Sequence, residues 1–172
     1  FVTMNGLRTN VLHKEFSDAP ASIRESFSLE AFSSSEGLLS IDAVVLDASL
    51  ANFGKGNTAE LTKNFTMDLT PPGIMPLSTM HNVRQGGVGC TTFALNEEAL
   101  GVGVYLPNTD YFFQAFKQDN GDYVCLFAFP YDMPTDEFLP RIVATDAAGN
   151  RNEMPVSVTA MPREFKQDVI RL

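Results

Sequence analysis

Apolar and polar residues alternate with a period of two through most of this chain, and turn-forming residues interrupt the alternation at short intervals. That pattern predicts half-buried β-strands joined by tight turns. Residues 1–4 and 7–16 read as two strands on either side of Asn5-Gly6, a dipeptide favoured in the type I′ hairpin turn. Ser17-Asp18-Ala19-Pro20 breaks the pattern, and 26–32 resumes it with Phe27, Leu29 and Ala31 on one face. After a polar loop at 33–37, residues 38–46 and 59–67 form the next pair. Beyond Pro71 the predicted strands are 74–79, 89–95, 100–106, 111–118, 123–129, 142–145 and 153–159, with 81–89 as a loop that has Gly86-Gly87 at its tip. Segments 111–118 and 123–129 make the clearest hairpin, turning at Asn120-Gly121. A two-residue turn there puts Phe112, Phe116, Cys125, Phe127 and Phe129 on one face and Phe113, Val124, Leu126 and Ala128 on the other. A strand pair apolar on both sides is expected to be covered on both, the outer side by a neighbouring domain.

One corner occurs twice. In 142–150 a strand of β-branched residues ends in Asp146-Ala147-Ala148-Gly149-Asn150, where Asp146 can cap its own backbone and Gly149 and Asn150 tolerate the left-handed conformation. In 43–57 the same alternation ends at Asp47-Ala48-Ser49 and runs through Gly54-Lys55-Gly56-Asn57 into the next strand. Two such corners suggest tandem modules of one fold, and the Asp-Ala-x-Gly-Asn ending resembles the last two strands of bacterial immunoglobulin-like repeats. The expected fold is therefore all-β: two tandem immunoglobulin-like β-sandwiches, the first incomplete at its N-terminus, because about five strands precede Asp68 where such a sandwich has about seven. Pro71 and Pro72 form a short stiff hinge, since each fixes φ and removes a backbone donor. The expected divisions are 1–70, a partial module; 71–162, a sandwich; and 163–172, a linker. Phe1 stands where a complete chain has Met, and strand-like sequence begins at once, so the chain reads as a piece of something longer.

Composition narrows the functional classes. A net charge of -9 with scattered Lys and Arg argues against a nucleic-acid partner. No apolar run approaches the roughly 20 residues that span a bilayer, and no leader opens the chain. Cys90 and Cys125, both in predicted strands, fit either a disulfide or two small buried hydrophobes. Asp119-Asn120-Gly121-Asp122 has the start of a calcium loop without its later acidic ligand, and a hairpin turn explains it. Asp146, Asn150, Asn152 and Glu153 could converge on calcium, although turn chemistry accounts for them. Gly86–Gly89 has no helix after it to receive a phosphate. Tyr105, Tyr111, Phe112, Phe113 and Tyr131 could make a sugar-stacking platform; without any Trp, core packing is the simpler role.

A closer resemblance rests on several ordered motifs: Phe53-Gly54-Lys55-Gly56-Asn57, the 68–72 joint, His81-Asn82-Val83-Arg84-Gln85-Gly86-Gly87-Val88-Gly89, Phe127-Ala128-Phe129-Pro130-Tyr131-Asp132, the Asp146 corner and the exit Pro162-Arg163-Glu164-Phe165-Lys166. Together they resemble the non-catalytic region that precedes the catalytic domain in certain bacterial lysostaphin-type zinc metallopeptidases, which cut peptidoglycan cross-links. The resemblance implies a spacer, positioning or regulatory region in the cell envelope, periplasmic or extracellular, with any membrane anchor upstream. Its implied partners are its own C-terminal peptidase domain and components of the cell wall. That family holds zinc with His-x-x-x-Asp and His-x-His. Here the only histidines are His13 and His81, followed four residues later by Ser17 and Gln85. No cofactor is therefore expected in this chain; zinc belongs to the peptidase domain, and hydrolysis is not expected of this chain alone. The competing class is a free-standing adhesion or carbohydrate-binding repeat.

Overall fold

The computed structural model describes residues 1–18, 20, 22–29, 32, 36–47, 49 and 56–166. The chain is nearly all β, with no α-helix among the described residues and no closed barrel. Among the described residues no helix is long and apolar enough to cross a membrane. Contacts divide the chain into two units, Phe1–Leu69 and Thr70–Leu172.

The first unit is one antiparallel sheet of β1 (Val2–Met4), β2 (Leu7–Thr9), β3 (Gly37–Leu46) and β4 (Thr58–Met67), in the order β2-β1-β3-β4. Asn5 and Gly6, at φ 50 and 83, make the expected two-residue turn between β1 and β2. The strand expected over 7–16 stops at Thr9, and 22–29 forms none. Among the described residues of this unit there is no second sheet, and Val11, Leu29 and Phe32 pack on the sheet face at Val2, Met4 and Leu39. Glu30 and Ala31 of the expected 26–32 strand, and 50–55 of the first corner, lie outside the described residues. The same apolar face continues past that packing to Val45, Leu61 and Phe65, each at least half exposed.

The second unit has two layers. One is an antiparallel sheet in the order β10-β11-β7-β5, from β5 (Ile74–Pro76), β7 (Val88–Leu95), β10 (Phe116–Lys117) and β11 (Tyr123–Ala128). The other has the order β13-β12-β8-β9, from β8 (Gly101–Tyr105), β9 (Phe112–Gln114), β12 (Arg141–Thr145) and β13 (Arg151–Pro155). Between them lies one core, in which Phe93, Cys125 and Phe127 from the first layer meet Val102, Val104, Ile142 and Ala144 from the second. Phe129 and Phe138, stacked at 3.9 Å between ring centroids, close one end. A separate parallel pair joins β6 (His81–Arg84) to β14 (Val158–Met161).

Three strands differ from their sequence reading, and each has a local cause. The 74–79 strand breaks after Pro76, and the chain resumes as β6, inside the segment expected to be a loop. The 153–159 strand breaks after Pro155: Val156 N still donates to Pro140 O at 2.9 Å, but Pro140 has no N–H to return, and the ladder with β12 ends there. The 111–118 strand changes layers at Ala115: β9 pairs with β8, and only β10 pairs with β11. Its turn also holds one residue more than expected, because Lys117 faces Tyr123 across 118–122. One extra residue reverses every side chain of the partner strand. Phe116 therefore faces Val124 on the outer surface instead of joining Cys125 in the core.

The two units repeat one layer. The order β2-β1-β3-β4 corresponds strand for strand to β9-β8-β12-β13. The corners match bond for bond: Asp47 N donates to Asn57 O at 3.0 Å as Asp146 N does to Asn150 O at 3.1 Å. In each, the Asn returns its backbone N–H to one carboxylate oxygen of the Asp and its side-chain amide to the other. Gly56 and Gly149, before each Asn, sit at φ 75 and 93.

Candidate functional site

The motifs that lie far apart along the chain meet at one end of the second unit, where β14 hands the chain on to Pro162 and beyond. Because β14 runs parallel to β6, both strands arrive together at the loop 85–87. Gln85 N donates to Met161 O at 2.9 Å. Its side chain then bridges two further segments. Nε2 donates to Tyr131 O at 2.9 Å and Met133 O at 3.0 Å, while Oε1 accepts from Arg163 N at 3.3 Å. All the donors and the acceptor of one primary amide are thus used by backbone groups. Gly86 N donates to Phe129 O and Phe129 N to Gly87 O, both at 2.9 Å, which pins the loop to the end of β11.

Phe165 completes the clamp. Its ring meets Tyr131 edge to face at 6.0 Å, with the Arg163 guanidinium 5.4 Å from its centre. It rests on Gly86, which sits at φ +74; a Cβ there would strain that backbone and lie 2.9 Å from Phe165 Cζ, so a side chain would push the ring off the loop. Three motifs that sequence showed only in order are therefore one physical device, a clamp on the outgoing chain. Residues 167–172 lie outside the described residues.

An uncharged apolar surface begins beside the clamp. Val88 and Ala128, the first residue of β7 and the last of β11, face each other across the sheet next to the clamp loop. On the same outer face follow Cys90, Leu126, Val124, Phe116 and Met75. Val88, Leu126, Phe116 and Met75 are 59–67% exposed. Of the face expected to be apolar, Val124, Leu126 and Ala128 are on it and Phe116 enlarges it, whereas Phe113 pairs with Val104 in the other layer and packs against the core.

The other residues singled out in the sequence fall as follows. Cys90 and Cys125 are free thiols. They occupy offset positions on β7 and β11, Cys90 opposite Leu126 and Cys125 opposite Thr91, so one points outward and the other into the core. The disulfide alternative is thus not realised, and burial pushes the Cys125 thiol up to about 11. Pro72 is buried and its carbonyl accepts from Asn152 Nδ2 at 2.8 Å, while Pro71 is exposed. That bond ties the end of the Pro71-Pro72 hinge to the second unit.

His13 lies at the surface, 3.7 Å from Glu15. His81 opens β6 with Nε2 buried and without a hydrogen-bond partner, and Ser78 Oγ is paired with Thr91 Oγ1, so no Ser-His relay is assembled. Asn120 and Asp122 bond each other inside the hairpin turn. The four residues weighed for calcium do not converge: Glu153 is held by Tyr105, Arg141 and Arg151, Asn152 by Pro72, and Asn150 by Asp146. The Glu97 and Asp146 carboxylates approach within 4.8 Å. Burial pushes the Asp146 carboxyl up, but hydrogen bonds from Asn150, Gly149 and Ala148 outweigh it and hold it below the usual range. Gly89 serves packing, since a Cβ there would lie 2.5 Å from Phe127 Cζ.

The five aromatics do not form one platform. Tyr111 stacks on the half-buried Phe113, Tyr131 belongs to the clamp, and only Tyr105 and Phe112 share a face. Gln85 is the residue that sequence reasoning passed over. It drew notice only as the residue occupying the place of a zinc-binding Asp, although a long amide beside two glycines is suited to bridging backbone groups. In comparisons with known proteins, the chain matches no family model and no curated protein.

Proposed function

We propose that this chain is the non-catalytic positioning region of a cell-envelope zinc metallopeptidase that cleaves peptidoglycan cross-links, built from two tandem immunoglobulin-like modules of which the first lacks a layer. The clamp at Gln85 carries the reading. A region that only linked two domains would release its outgoing chain as a flexible tether. Here the outgoing chain is bonded at Met161 and Arg163 and packed at Phe165. The chain is thereby held in place as far as Phe165. The uncharged face beginning at Val88 and Ala128 lies beside that point, and it is the surface on which the following domain docks.

The immunoglobulin-like assignment is supported by the strand order of the second unit: two antiparallel layers, with β5 in one of them and β6, which follows it, paired parallel with the last strand in a separate two-stranded sheet. The matching corners and strand order support a first module of the same kind. The test is to read the encoding gene past Leu172 and assay its full-length product for bound zinc and for hydrolysis of purified peptidoglycan. Zinc binding with hydrolysis supports the reading. A product with neither, or with further β-repeats in place of a peptidase, removes it.

A further inference from the structure

The sheet of the first unit has one short edge and one long one. β2 offers three residues, whereas β4 runs for ten, Thr58–Met67, without a proline. Its counterpart in the second unit, β13, has five and ends in Pro155. A long unpaired edge strand presents a row of free backbone groups to which another strand can pair.

Which groups β4 leaves free follows from β1. The Phe1 amino group donates to Asp42 O and Asp42 N to Phe1 O, both at 2.9 Å, so the backbone groups of Asp42 point to β1. Successive residues of a strand turn these groups to opposite sides. Leu39, Ile41, Ala43 and Val45 therefore turn theirs to β4, where they oppose Phe65, Lys63, Leu61 and Ala59. The bond from Asp47 N to Asn57 O continues the same alternation. Thr58, Glu60, Thr62, Asn64 and Thr66 thus point their N–H and C=O groups outward, and among the described residues no strand takes them.

A second copy fits that edge in one register. Two β4 strands related by a two-fold axis are antiparallel, and outward groups meet outward groups only when the axis passes through a residue. With the axis at Thr62, Thr58 opposes the partner's Thr66, Glu60 the partner's Asn64 and Thr62 itself, so every outward residue is in a hydrogen-bonded pair. An axis at Lys63 leaves Thr58 without a strand partner and sets two ammonium groups directly opposite each other. An axis at Leu61 leaves Thr66 opposite Gly56, outside the strand. The Thr62 register also matches the side chains. On one face the Asn64 amide meets the partner's Glu60 carboxylate, and Thr62 is neutral, its hydroxyl donating to Asp42 Oδ1 at 2.8 Å. On the other face the stem of Lys63 lies over the partner's Leu61, and Phe65 lies beside the partner's Ala59, which covers part of the half-exposed apolar surface there.

We infer that a second copy of this chain pairs with the outer edge of β4, antiparallel and with the two-fold axis at Thr62, joining two first-unit sheets into one. This inference does not rest on the peptidase reading, since it concerns the other unit and needs no zinc.

The experiment follows the mass of the 172-residue chain by sedimentation over a range of concentrations, with amide hydrogen exchange on the same samples. The expected result is a reversible equilibrium between monomer and dimer. The amides of Glu60, Thr62 and Asn64 gain protection as concentration rises, while those of Leu61 and Lys63, bonded to β3, are protected throughout. Asn64→Lys, which sets an ammonium opposite the partner's Glu60, should tighten the dimer about threefold or more, and Asn64→Glu should weaken it by about the same factor. Thr66→Lys adds the same charge opposite the partner's Thr58 and should change the dimer less. Asn64 is exposed, so its variants keep the fold, which their thermal midpoints at low concentration check. Should a variant unfold, the wild-type exchange pattern still decides, because a dimer without the alternating gain of protection overturns the inference. A monomer at every concentration up to the millimolar range overturns it as well. So does a dimer that ignores both Asn64 variants and weakens with Phe116→Ala, since those copies would meet through the apolar face of the second unit.

Discussion

Replacing Gln85 probes the clamp most sharply, because two substitutions there should rank in an order that only its geometry predicts. Gln85→Ala removes two donated bonds that hold 131–133 and one accepted bond that holds Arg163. A net hydrogen bond contributes about 1 kcal/mol. The Tyr131 bond lies at the surface, where water replaces it in part, and the Arg163 bond matters only to the outgoing chain. The second unit should therefore lose about 1.5 kcal/mol, lowering its thermal midpoint by about 6–12 °C. Gln85→Glu is nearly the same shape and keeps an acceptor for Arg163 N, yet it turns a carboxylate oxygen toward two carbonyl oxygens. It should destabilise the unit more than Ala does, while leaving the Arg163 amide better protected than Ala does. Thermal unfolding and amide hydrogen exchange at Arg163 read the two effects separately. A Glu variant as stable as wild type, or an Arg163 amide that exchanges equally fast in all three proteins, would refute the bonding scheme.

Other outcomes follow from the packing and the charges. Phe129→Ala, at a fully buried ring stacked on Phe138, should cost about 3–5 kcal/mol in chemical denaturation; a loss below 1 kcal/mol would show that this end of the core is not packed as described. A thiol reagent should modify Cys90 alone in the folded chain and both cysteines in denaturant, since Cys125 is buried with its pKa raised; two reactive thiols under native conditions would contradict the placement of Cys125. Stability should decline in acid. Asp47, Asp146 and Glu153 all have folded pKa values below their ordinary 3.8 and 4.5, so the stability they add is present above those values and is lost as pH falls through the folded ones. The causes are the hydrogen bonds of Asn57 for Asp47, those at Asn150 outweighing burial for Asp146, and the Tyr105 hydroxyl for Glu153. A thermal midpoint flat from neutral pH down to about 5 and falling below about 4 is expected; one that rises on acidification would reverse the sign of the account.

What could be read from the chain and what could not divide along a physical line. Local signals held. Asn5-Gly6 is a turn with both residues at positive φ, and Asp146 with Gly149 and Asn150 closes the corner that their side chains predicted. The all-β class follows from alternation alone. Facing was less secure where it depended on a loop's length: Asn120-Gly121 marks the hairpin, but one more residue in the turn moves Phe116 from core to surface. Partnership between distant strands was not legible at all. Nothing in His81-Asn82-Val83-Arg84 announces a parallel pairing with 158–161, and β9 and β10 look like one strand until Ala115 changes layers. The clamp belongs to this last class, since Gln85, Tyr131 and Phe165 become neighbours only after β6 and β14 are aligned.

The most direct test of the positioning role uses the full-length product of the gene with and without Gln85→Ala, comparing hydrolysis of intact cross-linked wall with hydrolysis of a small soluble peptide. Loosening the clamp frees the outgoing chain and leaves the distant chemistry untouched, so the rate on the wall should change while the rate on the small peptide stays the same. Equal rates for both proteins on both substrates would contradict a positioning role, and a full-length product that binds no zinc and hydrolyses neither would contradict the peptidase reading itself.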